Sequence, residues 1–261
     1  MEINYDNFTI KKAVENNEIP RFIYKYYTNK KNRLQDTLNN HTIWFSKPMD
    51  FNDPFDCRLI VDTNNTNKEI LDYIKYLCNK ISTCEDDKLK IQLNYLNPKY
   101  RYEITNDSIQ DVISKSGVSC FSKINNSILM WSHYSNSHKG YCLKFDLLKD
   151  PDFFMMPVIV EYKEKYPYFN FIRDNKNLFK FDFGNKFCDW SYEEEIRIVR
   201  QEQNNVEINP ESIVEISFGI NCKNNNVELI KNICKSNNYK HIAFQKAKRK
   251  KLDFQMEFEK I

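Results

Sequence analysis

Residues 190–199, WSYEEEIRIV, place two acids and an arginine at the spacing of neighbours on one face of a β-strand. Alternate side chains of a strand point to the same face, so Glu193, Glu195 and Arg197 are predicted to lie together. Arg197 is expected to pair with one of these carboxylates or with an acid on a neighbouring strand. A solvated face with an ion pair is the common structural interpretation of such a pattern. The large ring of Trp190 beside the acids instead favours a cleft, in which Glu193 and Glu195 are the candidate catalytic residues.

A second cluster of hydrogen-bonding side chains falls within a predicted strand and the helix that follows it. Trp131 and Tyr134 are three residues apart, so on a helix they share a face that can line a pocket beside Ser122. His133 lies between them, although a lone histidine is more often a satisfied core residue. His133 and His138 are five apart, and no acid or cysteine completes a ligand set at the usual spacing, so no metal site is expected.

A loop rich in turn-forming residues precedes both clusters. Asparagine and aspartate close turns on their own backbone, and proline fixes φ, so a structural role is the simpler interpretation. The residues assigned to this structural loop are Asn52, Asp53, Pro54, Phe55 and Asp56.

The charge of the chain names no partner. There are 39 Lys and Arg residues against 36 Asp and Glu, a formal net charge of +3, so no overall field directs the protein to an anionic membrane, and nucleic acid is neither favoured nor excluded. The basic run at residues 246–251 is expected to be a solvated turn.

No apolar run approaches the roughly 20 residues that cross a bilayer, and the N-terminus lacks the features of a signal peptide. We therefore expect a cytoplasmic protein that binds no membrane. Because the eight cysteines contain no CxxC pair, we expect their thiols to be reduced.

Hydrophobic periodicity predicts strands separated by short helices. The predicted strands are 21–27, 41–46, 118–122, 140–146, 157–162, 192–200, 213–218, 240–246 and 252–258. Residues 67–116 are predicted to form a helical insertion. Since no internal repeat or Gly/Ser/Pro-rich linker divides the chain, residues 1–261 are predicted to form one α+β domain around a mixed or antiparallel sheet.

Three motifs in order resemble the bacterial family known as domain of unknown function 2971. They are FSKPMDFNDPFDC at 45–57, SCFSK and LMWSHYSNSHKGYCLKFD within 119–146, and WSYEEEIRIV at 190–199. The resemblance spans most of the chain. Because the activity of that family is not established, it implies a shared fold and a shared set of positions without naming a reaction.

The order of three strands is also similar, more loosely, to ADP-ribosyltransferases, which use NAD. In those enzymes a basic or polar residue on an early strand is followed by a serine-bearing strand and a late strand with a catalytic glutamate, often as Glu-x-Glu. Tyr24 and Lys25 fall on the early strand here and Ser122 on the middle one, while Glu193 and Glu195 form the late pair. The similarity implies an ADP-ribosyltransferase-like fold in which Glu195 stabilises an oxocarbenium-like ribose as nicotinamide leaves, and Glu193 orients the acceptor or a ribose hydroxyl.

The same similarity assigns the remaining binding residues. Aromatic groups hold the nicotinamide ring in such enzymes, which implies stacking roles for Trp131, Tyr134 and Trp190, with Ser122 and His133 as polar anchors. The full predicted nucleotide-binding set is Tyr24, Lys25, Ser122, Trp131, His133, Tyr134, Trp190 and Arg197.

The leading hypothesis is therefore a transferase that uses NAD or a related nucleotide as substrate, acting as a bacterial toxin or phage-defence effector on an acceptor that the sequence does not indicate. One alternative is a non-catalytic module of a defence system that binds a nucleotide or peptide. A nuclease is a further alternative, disfavoured because Asp53, Asp56 and the two glutamates lack metal-site spacing. Replacing Glu195 by Gln is expected to remove activity and leave the melting temperature nearly unchanged, because the exchange alters charge more than packing.

Overall fold

The structure is a computed structural model that describes residues 9–28, 33–81, 84–174, 178–201 and 203–261. Its helices are α1 Ile10–Glu15, α2 Arg33–Asn40, α3 Asn67–Ile81, α4 Glu85–Leu96, α5 Pro98–Lys115, α6 Ile128–Tyr134, α7 Phe171–Asp174, α8 Leu178–Phe183 and α9 Asn224–Ser236. Its strands are β1 Phe22–Tyr27, β2 Thr42–Trp44, β3 Ile60–Val61, β4 Gly117–Ser122, β5 Tyr141–Asp146, β6 Val158–Ile159, β7 Glu161–Lys163, β8 Tyr168–Phe169, β9 Asn185–Phe187, β10 Glu195–Arg200, β11 Asn205–Glu207, β12 Ile213–Phe218, β13 Ala243–Arg249 and β14 Met256–Lys260.

An eight-stranded sheet in the order β14-β13-β12-β5-β1-β4-β10-β6 organises the molecule. β12 and β13 run parallel, joined through α9, and the other neighbours in this sheet are antiparallel. The sheet is therefore mixed, which confirms the predicted α+β class. Within the described residues, no helix is both long and apolar enough to cross a membrane.

Helices α3, α4 and α5 occupy the predicted helical insertion, in which residues 82–83 lie outside the described part of the chain. Thr66 and Glu69 form a reciprocal capping box at the start of α3, because the Thr66 amide donates to Glu69 Oε2 (2.7 Å) and the Glu69 amide donates to Thr66 Oγ1 (3.2 Å). Asn97 caps α5, and Pro98 occupies its first turn. Local capping chemistry thus sets where these helices begin.

One face of the large sheet carries the main hydrophobic core. Ile23 on β1, Phe145 on β5 and Ile196 on β10 are fully buried. Leu38 of α2 and Ile230 of α9 belong to the same cluster, so these two helices cover that face.

The other face of β1 packs under α6. Tyr24 and Tyr26 alternate with the core residues of β1 and belong to a second cluster with Trp131 and Cys142. The Tyr26 and Trp131 rings meet edge to face, with 5.4 Å between their centroids. Helix α6 is thereby fixed beside the middle of the sheet.

The sheet splits between β1 and β4. These strands, both described in full, share one residue pair, Tyr24 with Ser122. Elsewhere along β4, Val118 instead forms a bridge with Ser46, outside the sheet. The split opens a gap in the sheet where two neighbouring strands would otherwise be hydrogen-bonded.

Lys25 crosses this gap with its side chain. Its ammonium group donates to Ser119 Oγ and to the carbonyl oxygen of Cys120, each at 2.9 Å, and lies 4.8 Å from the centre of the Phe121 ring. A side-chain cation thus satisfies a strand carbonyl at the split.

Asp182 of α8 is a buried acid in an unusual setting. It is 1% exposed, and among the described residues neither carboxyl oxygen has a hydrogen-bond partner. Burial disfavours the charged form and raises the pKa of Asp182 to about 7. An unfolded aspartate titrates near pH 3.9, so the folded protein retains a proton that the unfolded chain releases. This group therefore favours folding most at low pH, and that contribution is lost as the pH rises from about 4 to about 7.

We predict that Asp182→Asn flattens the pH dependence of stability. Between pH 5 and pH 8 the wild type should lose roughly 2–3 kcal/mol more unfolding free energy than the variant, because only the wild type must ionise a buried carboxyl. Urea unfolding at the two pH values measures this, and the exposed Asp152→Asn should behave as wild type. Parallel pH profiles for wild type and Asp182→Asn would show that Asp182 does not hold its proton in the fold.

Candidate functional site

The split between β1 and β4 opens into a cavity of about 910 Å³. Small-ligand pockets occupy roughly 300–1,000 Å³, so the cavity can accommodate a substantial molecule. Strands β1 and β4, helices α2 and α6, and the loop after β2 contribute to its walls. The predicted site residues that line it are Tyr24, Lys25, Asn52, Asp56, Ser122, His133, Tyr134, Glu193 and Glu195.

Arg197 anchors the wall of this cavity from within the protein. Its side chain is fully buried, and its guanidinium group donates to both carboxylate oxygens of Asp56, at 2.9 and 2.6 Å. It also donates to both oxygens of Glu195, at 2.9 and 3.0 Å, and to the carbonyl oxygen of Phe183 at 3.1 Å. A guanidinium group has five N–H donors, and these five bonds occupy them. The pairing of Arg197 with a glutamate is as predicted, whereas its assignment to nucleotide binding is wrong because no donor remains for a ligand.

Lys186 of β9 is the second buried cation of the same cluster. Its Nζ lies 2.6 Å from Glu193 Oε2, 3.2 Å from Glu195 Oε2 and 3.5 Å from Asp56 Oδ2. Together with Arg197, two cations face three carboxylates. With every group ionised, the cluster carries one excess negative charge.

A left-handed residue places the two glutamates. Glu193 ends a 3₁₀ helix, Cys188–Glu193, and Glu194 has φ 44° and ψ 54° before β10 begins at Glu195. The prediction that Glu193 lies on the strand is wrong, because the tight turn interrupts the alternation. The same turn nevertheless brings both carboxylates to Lys186.

The surroundings shift the pKa values of the two glutamates in opposite directions. Burial and the neighbouring Glu195 charge raise the pKa of Glu193, against the opposing effect of Lys186. For Glu195 the desolvation is outweighed by Arg197 and Lys186, which hold its pKa well below the usual range. Glu195 therefore stays ionised, and Glu193 is the more readily protonated of the two carboxylates.

Glu193 is held by residues of the cavity wall. The Tyr134 hydroxyl donates to Glu193 Oε1 at 2.5 Å, and the Ser122 hydroxyl donates to the Glu193 carbonyl oxygen at 2.6 Å. Asn52 donates to the Tyr134 hydroxyl at 3.4 Å. α6 thus contacts the Glu193 carboxylate, β4 contacts the Glu193 backbone, and the loop at 52 reaches Glu193 only through Tyr134.

Cationic and aromatic groups occupy other parts of the cavity wall. Burial lowers the pKa of Lys25 to about 8, so its ammonium form still predominates at neutral pH. Arg33 stacks over the Trp44 ring, 5.9 Å from its centre, and Tyr24 and Phe51 add ring surfaces. The cavity therefore combines positive charge, aromatic surface and buried carboxylates.

Two predicted stacking residues lie elsewhere. Trp131 is fully buried, donates from its indole nitrogen to the Asn125 carbonyl oxygen at 2.6 Å, and packs in the core. Its prediction as a stacking surface is wrong, because the face of α6 it occupies is turned to β1. Trp190 lines a separate cavity. His133 is exposed and lies 3.1 Å from the Tyr192 hydroxyl through Nδ1.

The sequence interpretation missed Lys186 and the true role of Asp56. Asp53 does serve turn chemistry, since its Oδ1 accepts from the Phe55 amide at 2.9 Å. Asp56 does more than this, because its carboxylate binds the guanidinium group of Arg197. No periodic pattern singles out either Lys186 or Asp56. The one indication in the sequence is that acids outnumber cations at residues 193–197, so that burying them requires another cation.

We predict that Arg197→Gln destabilises the protein by about 3–5 kcal/mol, because it strands two buried carboxylates that the arginine now neutralises. Arg21→Gln is the matched control: Arg21 also donates twice to one carboxylate, Asp146, at 3.1 and 2.7 Å, but its side chain is half exposed. Its loss should be much smaller. Urea denaturation measures both, and equal losses would show that the buried cluster has no special role in stability.

Within the described part of the chain no three His, Cys, Asp or Glu side chains are grouped to hold a metal ion.

Comparison with known proteins gives one match. No curated protein and no solved structure matches the chain. Residues 130–198 match the family described as "Protein of unknown function (DUF2971)", and this segment contains Tyr134, Lys186, Glu193, Glu195 and Arg197. The resemblance drawn from the motifs is confirmed for residues 130–198, which match the DUF2971 family model.

Proposed function

We propose that the cavity at the sheet split binds NAD or a related nucleotide and that the protein transfers a group from it. One observation carries the proposal: two buried carboxylates with oppositely shifted pKa values lie in the wall of a cavity that also holds Lys25 and Arg33. Carboxyl pairs whose environments separate their pKa values are the usual arrangement for dividing charge stabilisation from proton transfer. Phosphate groups are the natural counterparts of Lys25 and Arg33.

We propose different tasks for the two acids, because their contacts differ. Both oxygens of Glu195 accept from Arg197, and one also contacts Lys186. Glu195 is therefore a positioning residue whose charge is largely compensated. Glu193 has no contact with Arg197 among the described hydrogen bonds, and its raised pKa suits it to accept a proton.

In the proposed reaction, the bond between the ribose C1′ and the nicotinamide nitrogen breaks, and nicotinamide leaves with the electron pair. The resulting oxocarbenium-like ribose is stabilised by the negative cluster. A hydroxyl or amine of the acceptor forms the new bond to C1′ and gives its proton to Glu193. Tyr134 keeps the Glu193 carboxylate in place through the 2.5 Å hydrogen bond.

Glu193→Gln is predicted to lower turnover by about 10²–10⁴-fold, the usual contribution of a positioned acid or base, with little effect on nucleotide affinity. Glu194→Gln is the matched control, because it makes the same change on the neighbouring, exposed residue. Nicotinamide release from NAD measures turnover, and calorimetry measures binding. Full turnover in Glu193→Gln would overturn the assignment, and NAD binding without release by the wild type would indicate a binding module.

The structure revises the expectation for Glu195→Gln. An amide in place of the Glu195 carboxylate leaves Arg197 and Lys186 with less neutralising charge in a buried site, so its melting temperature should fall clearly below that of the wild type. A loss of activity in Glu195→Gln consequently does not distinguish a role in the reaction from a role in stability. A loss of activity in a folded Glu193→Gln variant does make that distinction.

We also predict that production of the wild type harms growth, because uncontrolled consumption of NAD depletes a shared cofactor. Colony counts and cellular NAD content, at matched soluble protein levels, compare the wild type with Glu193→Gln and Glu194→Gln. Toxicity that persists in Glu194→Gln and disappears in Glu193→Gln supports a toxin or defence role. Unchanged growth and NAD with the active wild type would argue against that role while leaving the reaction in place.

A further inference from the structure

A second cavity of about 570 Å³ borders the same ion cluster, because Lys186 lines both this cavity and the cavity at the sheet split. Five large aromatic side chains line its wall, from the loop at 55, from β8 and the residues just before it, and from the region of β9. They are Phe55, Tyr166, Tyr168, Phe187 and Trp190.

These rings are exposed to a degree that is unusual for a group of neighbours. Phe55 and Tyr168 are each 67% exposed, and Phe187 is 44% exposed. Single exposed apolar residues are ordinary, but a contiguous apolar surface around a concavity marks a binding site. The volume is that of a small-molecule pocket rather than of a protein-docking surface.

The charges of the cavity favour an anion. Arg58, Lys163, Lys165 and Lys186 line it against Asp53 and Glu164. Lys163 pairs with Glu161 at 3.1 Å, and Lys186 is held by the buried carboxylates. Arg58 and Lys165 form no ion pair with any residue that the structure describes, and they remain available to a ligand.

A cation already lies over one of the rings. Lys186 Nζ is 5.0 Å from the centre of the Trp190 ring, which fixes that indole against the ion cluster. A planar ligand that enters the cavity therefore meets a positioned aromatic surface, which lowers the entropy lost on stacking.

We propose that this second cavity is a binding site for a purine nucleotide, whose base stacks among the aromatic side chains while its phosphate meets Arg58 and Lys165. The ring surfaces match the base, and Arg58 and Lys165, which have no ion pair within the described part of the chain, match the phosphate. The site is distinct from the cavity at the sheet split and does not depend on whether that cavity holds NAD.

Titration calorimetry with AMP tests this site, with adenosine and ribose 5-phosphate as probes that lack the phosphate or the base. AMP should bind more tightly than either probe. Arg58→Gln and Tyr168→Ser, both at exposed positions, should each weaken this binding by at least about tenfold, the effect of one charge-assisted hydrogen bond or stacked ring.

Arg33→Gln separates the two cavities, because Arg33 lines only the cavity at the sheet split. It should leave the AMP binding that depends on Arg58 unchanged. Failure of AMP to bind at millimolar concentration, or binding that Arg33→Gln abolishes while Arg58→Gln and Tyr168→Ser do not alter it, overturns the proposal. Nicotinamide release from NAD is a separate measurement, so failure of either proposal can be told from failure of the other.

Discussion

The buried guanidinium group of Arg197 is the charge on which this part of the molecule depends. Transferring an ion of this size from water into a protein costs several kcal/mol even after relaxation, and only well-placed partners offset that cost. Arg197 obtains them from three separate parts of the chain: Asp56 in the loop after β2, Phe183 at the end of α8, and Glu195 on its own strand. Any displacement of these segments would leave a buried donor unmatched. The cluster consequently fixes the cavity wall to the sheet.

The sheet split is the complementary feature, because it supplies the space that the charge cluster borders. Regular pairing of β1 with β4 would fill the gap with backbone hydrogen bonds and leave no cavity. One residue pair and the bridge from Lys25 hold the two halves together instead. The side chain that closes the sheet is thus also a cation exposed to whatever occupies the cavity.

Local patterns predicted the elements of the sheet better than they predicted the site. The apolar pattern located β12 at its observed bounds, 213–218, because Ile213, Ile216 and Phe218 are buried in the core. Strand alternation failed at Glu193, because the left-handed residue Glu194 delays the start of the strand to Glu195. Trp131 was assigned to a pocket by its helical spacing from Tyr134, but its burial between α6 and β1 depends on packing between distant segments. Lys186 could not be predicted for the same reason, since it meets Glu193 and Glu195 only when β9 and the turn before β10 lie side by side.

The low dielectric that sustains the ion cluster also affects the thiols beside it. Cys57 Sγ lies 3.4 Å from the Arg197 guanidinium, and Cys120 lies on β4 opposite Arg197. Burial raises the pKa of both thiols despite the adjacent cation. Since the thiolate is the form that reacts with electrophiles and peroxides, these two thiols have low reactivity. Cys84, at the start of α4, is the exposed cysteine among the eight, so alkylating reagents and oxidants would meet the helical insertion first and leave the cavity wall unmodified.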